Sequence, residues 1–147
     1  MKFKNQKVLF IGYGNPGRLD DGLGPQIASA IEKLNIPGLT VDSNYQLNIE
    51  DSLEIANHDI VIFADASVNC ESPFVFREII PENRFSFTSH NIEPETLMLI
   101  SNEMFKSKTK GYILGIRGYE FNDFGENLSP RARYNLEKAM EFIKTLI

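Results

Sequence analysis

Three groups of residues in this chain have the types and spacing to do chemistry. The first is Asp20-Asp21-Gly22, embedded in the run Val8-Leu9-Phe10-Ile11-Gly12-Tyr13-Gly14-Asn15-Pro16-Gly17-Arg18-Leu19-Asp20-Asp21-Gly22-Leu23-Gly24. The second is Asp65, which closes the apolar run Ile60-Val61-Ile62-Phe63-Ala64. The third is His90 in Thr88-Ser89-His90-Asn91. Asp21, Asp65 and His90 together make a hard-to-borderline donor set that suits Ni²⁺, Zn²⁺ or Fe²⁺ with coordination positions left open. Each also has a plainer reading. A carboxylate at a strand end can cap a nearby helix, and a lone loop histidine is usually just solvated.

The glycines invite a different reading. An apolar strand running into Gly12-x-Gly14-x-x-Gly17, with Asp42 near the end of the next strand, matches the letters of a dinucleotide fingerprint. A pyrophosphate, however, needs a helix N-terminus directly after the glycines. Here helical periodicity starts only around Leu23, and the gap holds two negative charges that repel phosphate. An acidic turn of this kind better suits a cation or a reacting carbonyl. Gly12, Gly14, Asn15, Asp20 and Gly22 are then expected to shape the loop. Gly12 and Gly14 would turn the chain off the first strand, and Gly22 and Gly24 would let it pass close to the site.

The elements that must position these groups alternate between strand and helix, which predicts a layered α/β fold in one domain, residues 1–147. Strands are expected near Lys7–Gly12, Leu39–Asp42, Ile60–Asp65, Pro73–Glu78 and Gly111–Ile116. The first helix carries Leu23, Ile27, Ala30, Ile31 and Leu34 at helical spacing, and a weaker second one carries Ile49, Leu53 and Ala56. A third spans Pro94–Phe105 with Leu97, Met98 and Met104. The last has Ser129 as N-cap, Pro130 at its first position, and a stripe of Ala132, Leu136, Ala139, Ile143 and Leu146. The third strand is apolar without a break, so both its faces must be covered. The fourth follows it after some seven residues, whereas a parallel crossover needs roughly a dozen or more, so the fourth strand is antiparallel. If strands one and three are neighbours, Asp21 and Asp65 meet at the switch point where open α/β sheets hold ligands.

Composition narrows the partners. The net charge is −5 and the basic residues are scattered, without the stripe that nucleic acid requires. No stretch approaches the roughly 20 apolar residues of a membrane span, and the N-terminus leads straight into a strand, so a cytoplasmic location is expected. The single cysteine, Cys70, rules out an internal disulfide and a thiolate zinc cluster. His58, at the far end of the third strand, reads as a surface turn residue.

Taken in order, Gly12-x-Gly14-Asn15-Pro16-x-x-x-Asp20-Asp21-Gly22-x-Gly24, Phe63-Ala64-Asp65-Ala66, Thr88-Ser89-His90-Asn91 and Leu114-Gly115-Ile116 resemble the successive signatures of the hydrogenase maturation endopeptidases. The resemblance spans nearly the whole chain, and the family's three metal-contacting positions fall on Asp21, Asp65 and His90. It implies a three-layer α/β/α sandwich with a five-stranded mixed sheet of order 2-1-3-5-4 and strand 4 antiparallel. It also implies a peptidase that removes the C-terminal extension of a [NiFe]-hydrogenase large-subunit precursor after nickel insertion. The nickel is presented by the substrate and is not permanently bound, and the enzyme is expected to be a monomer. One departure is Gly118, where many members have proline, which leaves the conformation of the aromatic and acidic loop 117–128 open. That loop reads as an ordinary exposed loop or as a specificity element for a basic residue near the cleavage point.

Two mechanisms use the same three residues. In one, Asp21, Asp65 and His90 ligate the precursor's nickel, which polarises the scissile carbonyl or an attacking water. In the other, the aspartates share a proton in aspartyl-peptidase chemistry, and the metal only docks the substrate. The rivals from other classes are a non-catalytic nickel-binding or sensing module on the same fold and the dinucleotide-binding oxidoreductase.

Overall fold

Runs rich in Val, Ile and Phe supply the strands of one sheet, and amphipathic segments between them supply the covering helices. The computed structural model describes residues 2–80 and 92–147. Its strands are β1 (Val8–Tyr13), β2 (Leu39–Asn44), β3 (Ile60–Ser67), β4 (Phe74–Glu78) and β5 (Lys110–Arg117), in the order β2-β1-β3-β5-β4. β1 is parallel to both β2 and β3, β3 is parallel to β5, and β4 runs antiparallel to β5. The short β3–β4 connection thus reverses direction, as its length requires.

Helices α1 (Leu23–Glu32) and α4 (Pro130–Leu146) cover one face of the sheet, where Ile27, Ile31, Ala139 and Ile143 pack on Phe10, Ile62 and Leu114. Helices α2 (Asp51–Ala56) and α3 (Pro94–Phe105) cover the other face, where Ile55 and Leu97 meet Leu9, Ile11 and Phe63. The expected three layers are therefore present. β1 and β3 are buried from both sides, which is why they read as unbroken apolar runs. Ser129 caps α4 as expected, its hydroxyl accepting the Ala132 N–H at 3.3 Å. Among the described residues no helix is long and apolar enough to cross a membrane.

Three expectations need correction. In α2 the buried apolar residue is Ile55, while Ile49 and Leu53 face outward, because the six-residue helix is oriented by its packing on α3. Leu34 lies beyond the end of α1 and Met104 on the outer side of α3, so neither joins the core. β3 does not stop at Asp65. It runs on to Ser67 because β5 continues to pair with it, whereas β1 last pairs at Gly12↔Ala64. Asp65 therefore sits one residue past the reach of β1, at the mouth of the switch point.

Candidate active site

Asp21 is placed by the loop that leaves β1. Gly14 has φ of 138°, and a Cβ there would lie 2.2 Å from the Asp21 carbonyl oxygen, so only glycine lets the two segments touch. The Asn15 N–H donates to Asp21 Oδ2 at 2.9 Å, and Asn15 Oδ1 accepts the Gly17 N–H at 2.8 Å. A 3-10 turn, Leu19–Gly22, follows, and α1 begins at Leu23 as the periodicity predicts. Gly12 has a different task from the turn expected of it. It lies within β1, and a Cβ there would sit 2.2 Å from the Gly24 carbonyl oxygen and 2.7 Å from Ala28 Cβ. A Cβ at Gly24 would in turn lie 2.2 Å from the Tyr13 carbonyl oxygen and 2.7 Å from that of Ala64. The two glycines let helix and strand backbones meet.

Asp20, the neighbour of Asp21, is fully buried and points the other way. Its Oδ2 accepts the Tyr119 N–H at 2.8 Å, the Glu120 N–H at 3.0 Å and the Ser129 hydroxyl at 2.8 Å, while Oδ1 accepts the Ser129 N–H at 2.8 Å. Burial pushes this carboxyl up, but the hydrogen bonds from Ser129, Tyr119 and Glu120 outweigh it and hold Asp20 below its usual value. Loop 117–128 is thereby pinned to the 3-10 turn, helped by backbone bonds from Leu19 to Gly125 and from Gly125 to Gly17. Gly118 belongs to this joint. Its N–H donates to Ser67 O at 2.9 Å, a bond that proline could not make, and a Cβ would press within 2.9 Å of Asp20 Cβ.

Asp65 and Asp21 line one pocket of 250 Å³ at the carboxyl edge of the sheet, together with Tyr13, Gly14 and Glu93. Ile92 and Glu93, two and three residues beyond His90 in sequence, reach the same pocket; His90 itself lies outside the described residues. Burial pushes the Asp65 carboxyl up, and the negative charges of Asp21 and Glu93 push it further. The Ala66 N–H, donating at 2.8 Å, and the Tyr13 hydroxyl favour the ionised form in part, and the balance lies at about 7. The same burial, with Asp65 beside it, pushes the Tyr13 phenol well above its usual value. A larger cavity of 640 Å³ lies at the opposite edge, lined by Val8, Pro37 and Leu39, and no carboxylate side chain, histidine or cysteine lines it. Chemistry favours the smaller pocket.

Tyr13 and Glu93 were not singled out from sequence. Tyr13 was discoverable, because the parallel register that pairs Gly12 with Ala64 sets Tyr13 beside Asp65 on the same face. A second acidic group, Asp42 on β2 with Asp51 and Glu54 on α2, brings its oxygens within 4.8 Å of one another. A hydrogen bond to Asp42, then burial, pushes Glu54 up to about 7. Cys70 is half-buried, with its Sγ 3.6 Å from Gly115 O and its carbonyl accepting from Arg117, and no base adjoins it among the described residues. His58 bridges the Glu54 carbonyl and Thr40 Oγ1, away from the pocket.

No family model matches the chain. A candidate hydrogenase maturation protease of Methanocaldococcus jannaschii is 26% identical over 150 residues, covering 95% of this chain and 96% of that protein. The [NiFe] hydrogenase maturation protease HycI of Thermococcus kodakarensis superposes with a TM-score of 0.76 at 18% identity, covering 98% of this chain and 94% of its own. The hydrogenase maturating endopeptidase HybD of E. coli superposes with a TM-score of 0.68 at 20% identity, covering 93% of this chain and 89% of its own. In sequence along nearly its whole length and in fold, this chain resembles the hydrogenase maturation proteases.

Proposed function

We propose that the chain is an endopeptidase that removes the C-terminal extension of a [NiFe]-hydrogenase large-subunit precursor once nickel has been inserted. The observation that carries this reading is the convergence of Asp21 and Asp65 on one pocket at the switch point, with the segment that follows His90 on its wall. The resemblance to proteases of this kind supplies the substrate class.

Asp21, Asp65 and His90 are the residues we assign to the site. As ligands, two carboxylates and an imidazole would take up the nickel that the precursor presents and leave positions open for its own donors. Cleavage would then wait on metal insertion, because an empty precursor offers the site nothing to grip. Asp65, with its carboxyl at about 7, can also carry a proton at neutral pH between an attacking water and the departing amine. Asp21, held by the Asn15 N–H, is the acceptor placed beside it.

The test is mass spectrometry of nickel-loaded large-subunit precursor incubated with the wild-type protein and with Asp21→Asn, Asp65→Asn, His90→Ala and Cys70→Ala. Wild type and Cys70→Ala should remove the tail, and the other three should leave it. Normal tail removal by folded Asp21 and Asp65 variants would refute the peptidase assignment and favour a nickel-binding module on this fold.

A further inference from the structure

The cations of this chain divide by type between the two edges of the sheet. Among the described residues, those on the carboxyl side are all arginines: Arg18 follows β1, Arg117 ends β5, and Arg131 and Arg133 lie in the first turn of α4. Arg77, within β4, is already paired with Glu95 at 3.3 Å. The described lysines lie at the amino edge or beyond the second turn of α4. Arginine and lysine carry the same charge, but only arginine presents the planar fork that grips a carboxylate through two parallel N–H groups.

Two of these arginines are held against one ring. The guanidinium carbon of Arg131 is 3.9 Å and that of Arg117 5.0 Å from the centre of the Tyr119 ring. Arg117 is fixed by donating from Nη1 to Cys70 O at 2.9 Å and from Nε to Gly118 O at 3.1 Å. Tyr119 is fixed by the buried Asn135, whose Nδ2 donates to the Tyr119 hydroxyl oxygen at 3.1 Å and to Arg117 O at 3.0 Å, while its Oδ1 accepts the Ser72 hydroxyl at 3.0 Å. Neither guanidinium reaches a carboxylate, because among the described residues the ion pairs are Arg77–Glu95 and Lys138–Glu141, and Glu120, next in sequence to Tyr119, stays out of reach of both. Stacking on a ring leaves free the edges of a guanidinium, where its N–H groups point. In a chain of net charge −5, two like charges held together with no acid of the chain between them make an anion-binding arrangement.

The pair stands on the same edge as the acidic pocket. Arg117 is the register partner of Ser67, whose carbonyl accepts the Gly118 N–H, and Ser67 is two residues beyond Asp65 on β3. Strand geometry puts the Arg117 and Asp65 backbones about 8 Å apart, the span of roughly two or three residues of extended peptide. The pocket itself is lined by Asp21, Asp65 and Glu93 and by no cation among the described residues. We infer that Arg117 and Arg131 bind a carboxylate, from a side chain or the terminus, of the polypeptide tail that enters the pocket, a few residues from the bond that is cut. The inference rests on the proposed peptidase reading for the identity of the ligand. Its own content is the anion subsite and the two arginines that form it. A substrate that brings a cation to the pocket and an anion to the arginines meets complementary charge at both, which sets the direction in which its tail lies.

Arg131 is exposed, and an acid in the first turn of α4 suits the helix dipole, so thermal melts of Arg131→Glu should match wild type. Binding of nickel-loaded precursor is measured by biolayer interferometry and tail removal by steady-state kinetics, for wild type, Arg131→Glu, Arg131→Lys and Lys33→Glu. Lys33→Glu makes the same charge change at the far edge of the sheet and should match wild type. Arg131→Glu should raise Kd and KM about tenfold with kcat unchanged, the size of one lost charge-assisted contact. Arg131→Lys keeps the charge but loses the fork and should fall between them. Precursors whose tail acids are changed to amides, or whose tail is lengthened by a short glycine run, locate the carboxylate. The change that removes it should raise the wild-type KM by the same factor and leave Arg131→Glu with no further loss. Such coupling to the amides identifies a side chain and coupling to the lengthening identifies the terminus, whereas coupling to neither overturns the inference. An Arg131→Glu variant with unchanged Kd and KM, or a Lys33→Glu variant impaired as much, also overturns it, and the peptidase reading stands if wild type cleaves. If wild type binds the precursor without cleaving it, the peptidase reading fails, and the Kd of Arg131→Glu still decides the anion subsite. A precursor that does not bind wild type overturns both.

Discussion

Replacing Asp20 with Asn should destabilise the protein by about 2–3 kcal/mol at pH 7, although Asp20 never enters the pocket. The carboxylate accepts four hydrogen bonds, three at Oδ2 and one at Oδ1, from residues 99 to 109 positions away in sequence. An amide oxygen in the Oδ2 position keeps three of them but loses the charge, which weakens each by about 1 kcal/mol. The amide nitrogen then faces the Ser129 N–H, donor against donor, and an unsatisfied buried donor costs roughly 1–3 kcal/mol. Relief of a buried charge offsets part of this loss. Urea unfolding gives the free energy, and at this chain length the expected Tm loss is about 5–10 °C. The pH dependence separates this account from a simple packing defect. Asp20 is held below its usual value in the fold, so its stabilisation is complete above the unfolded carboxylate pKa of about 3.9 and is lost as pH falls through the folded value. The gap between wild type and variant should therefore close below about pH 4. A gap under about 0.5 kcal/mol at pH 7, or one that stays constant from pH 6 to pH 3, would refute the reasoning.

Asp65→Asn should act in the opposite direction. Because Asp65 is raised to about 7, ionising it in the fold costs stability as pH rises from the unfolded value of about 3.9, so the variant should gain on wild type through that window and level off above pH 7. Chemical denaturation at pH 5 and pH 8 should show a gain of about 2–4 kcal/mol at the higher pH and less at the lower. Tyr13→Phe removes a hydrogen bond that favours the Asp65 carboxylate, so NMR titration of the labelled carboxyl should place its midpoint higher than in wild type. Gly12→Ala drives a methyl to 2.2 Å from the Gly24 carbonyl and should cost about 3 kcal/mol or more by urea unfolding. Titration with NAD, NADP or ATP should show no saturable binding at micromolar concentration, because two carboxylates occupy the turn between the glycines and α1.

The fold was legible where periodicity and connection length each allow one answer. Ile60–Ala64 had to be covered on both faces, and the short link after β3 had to reverse the chain. The direction of α2 was not legible, because six residues make too few turns for a stripe to outvote tertiary packing. Ile49 precedes the helix and Leu53 turns outward, and only contact with α3 selects Ile55 for the core. The adjacent acids Asp20 and Asp21 also look alike as letters. What separates them is a loop about a hundred residues later, whose N–H groups claim one carboxylate and leave the other for the pocket. No local rule carries that information.

The glycine run shows how one pattern can serve two kinds of physics. In a phosphate site the second glycine clears space for an anion and the helix N-terminus faces it. Here the space at Gly14 is taken by the Asp21 carbonyl, and the loop folds back so that a carboxylate stands where the anion would be. The close approach of strand and helix survives, through Gly12 against Gly24. The sign of the ligand has been exchanged. A turn that presents carboxylate oxygens in place of N–H groups selects for a cation or for a group that can share a proton. Asp65, one residue past the reach of β1 on the neighbouring strand, is placed to meet the same ligand.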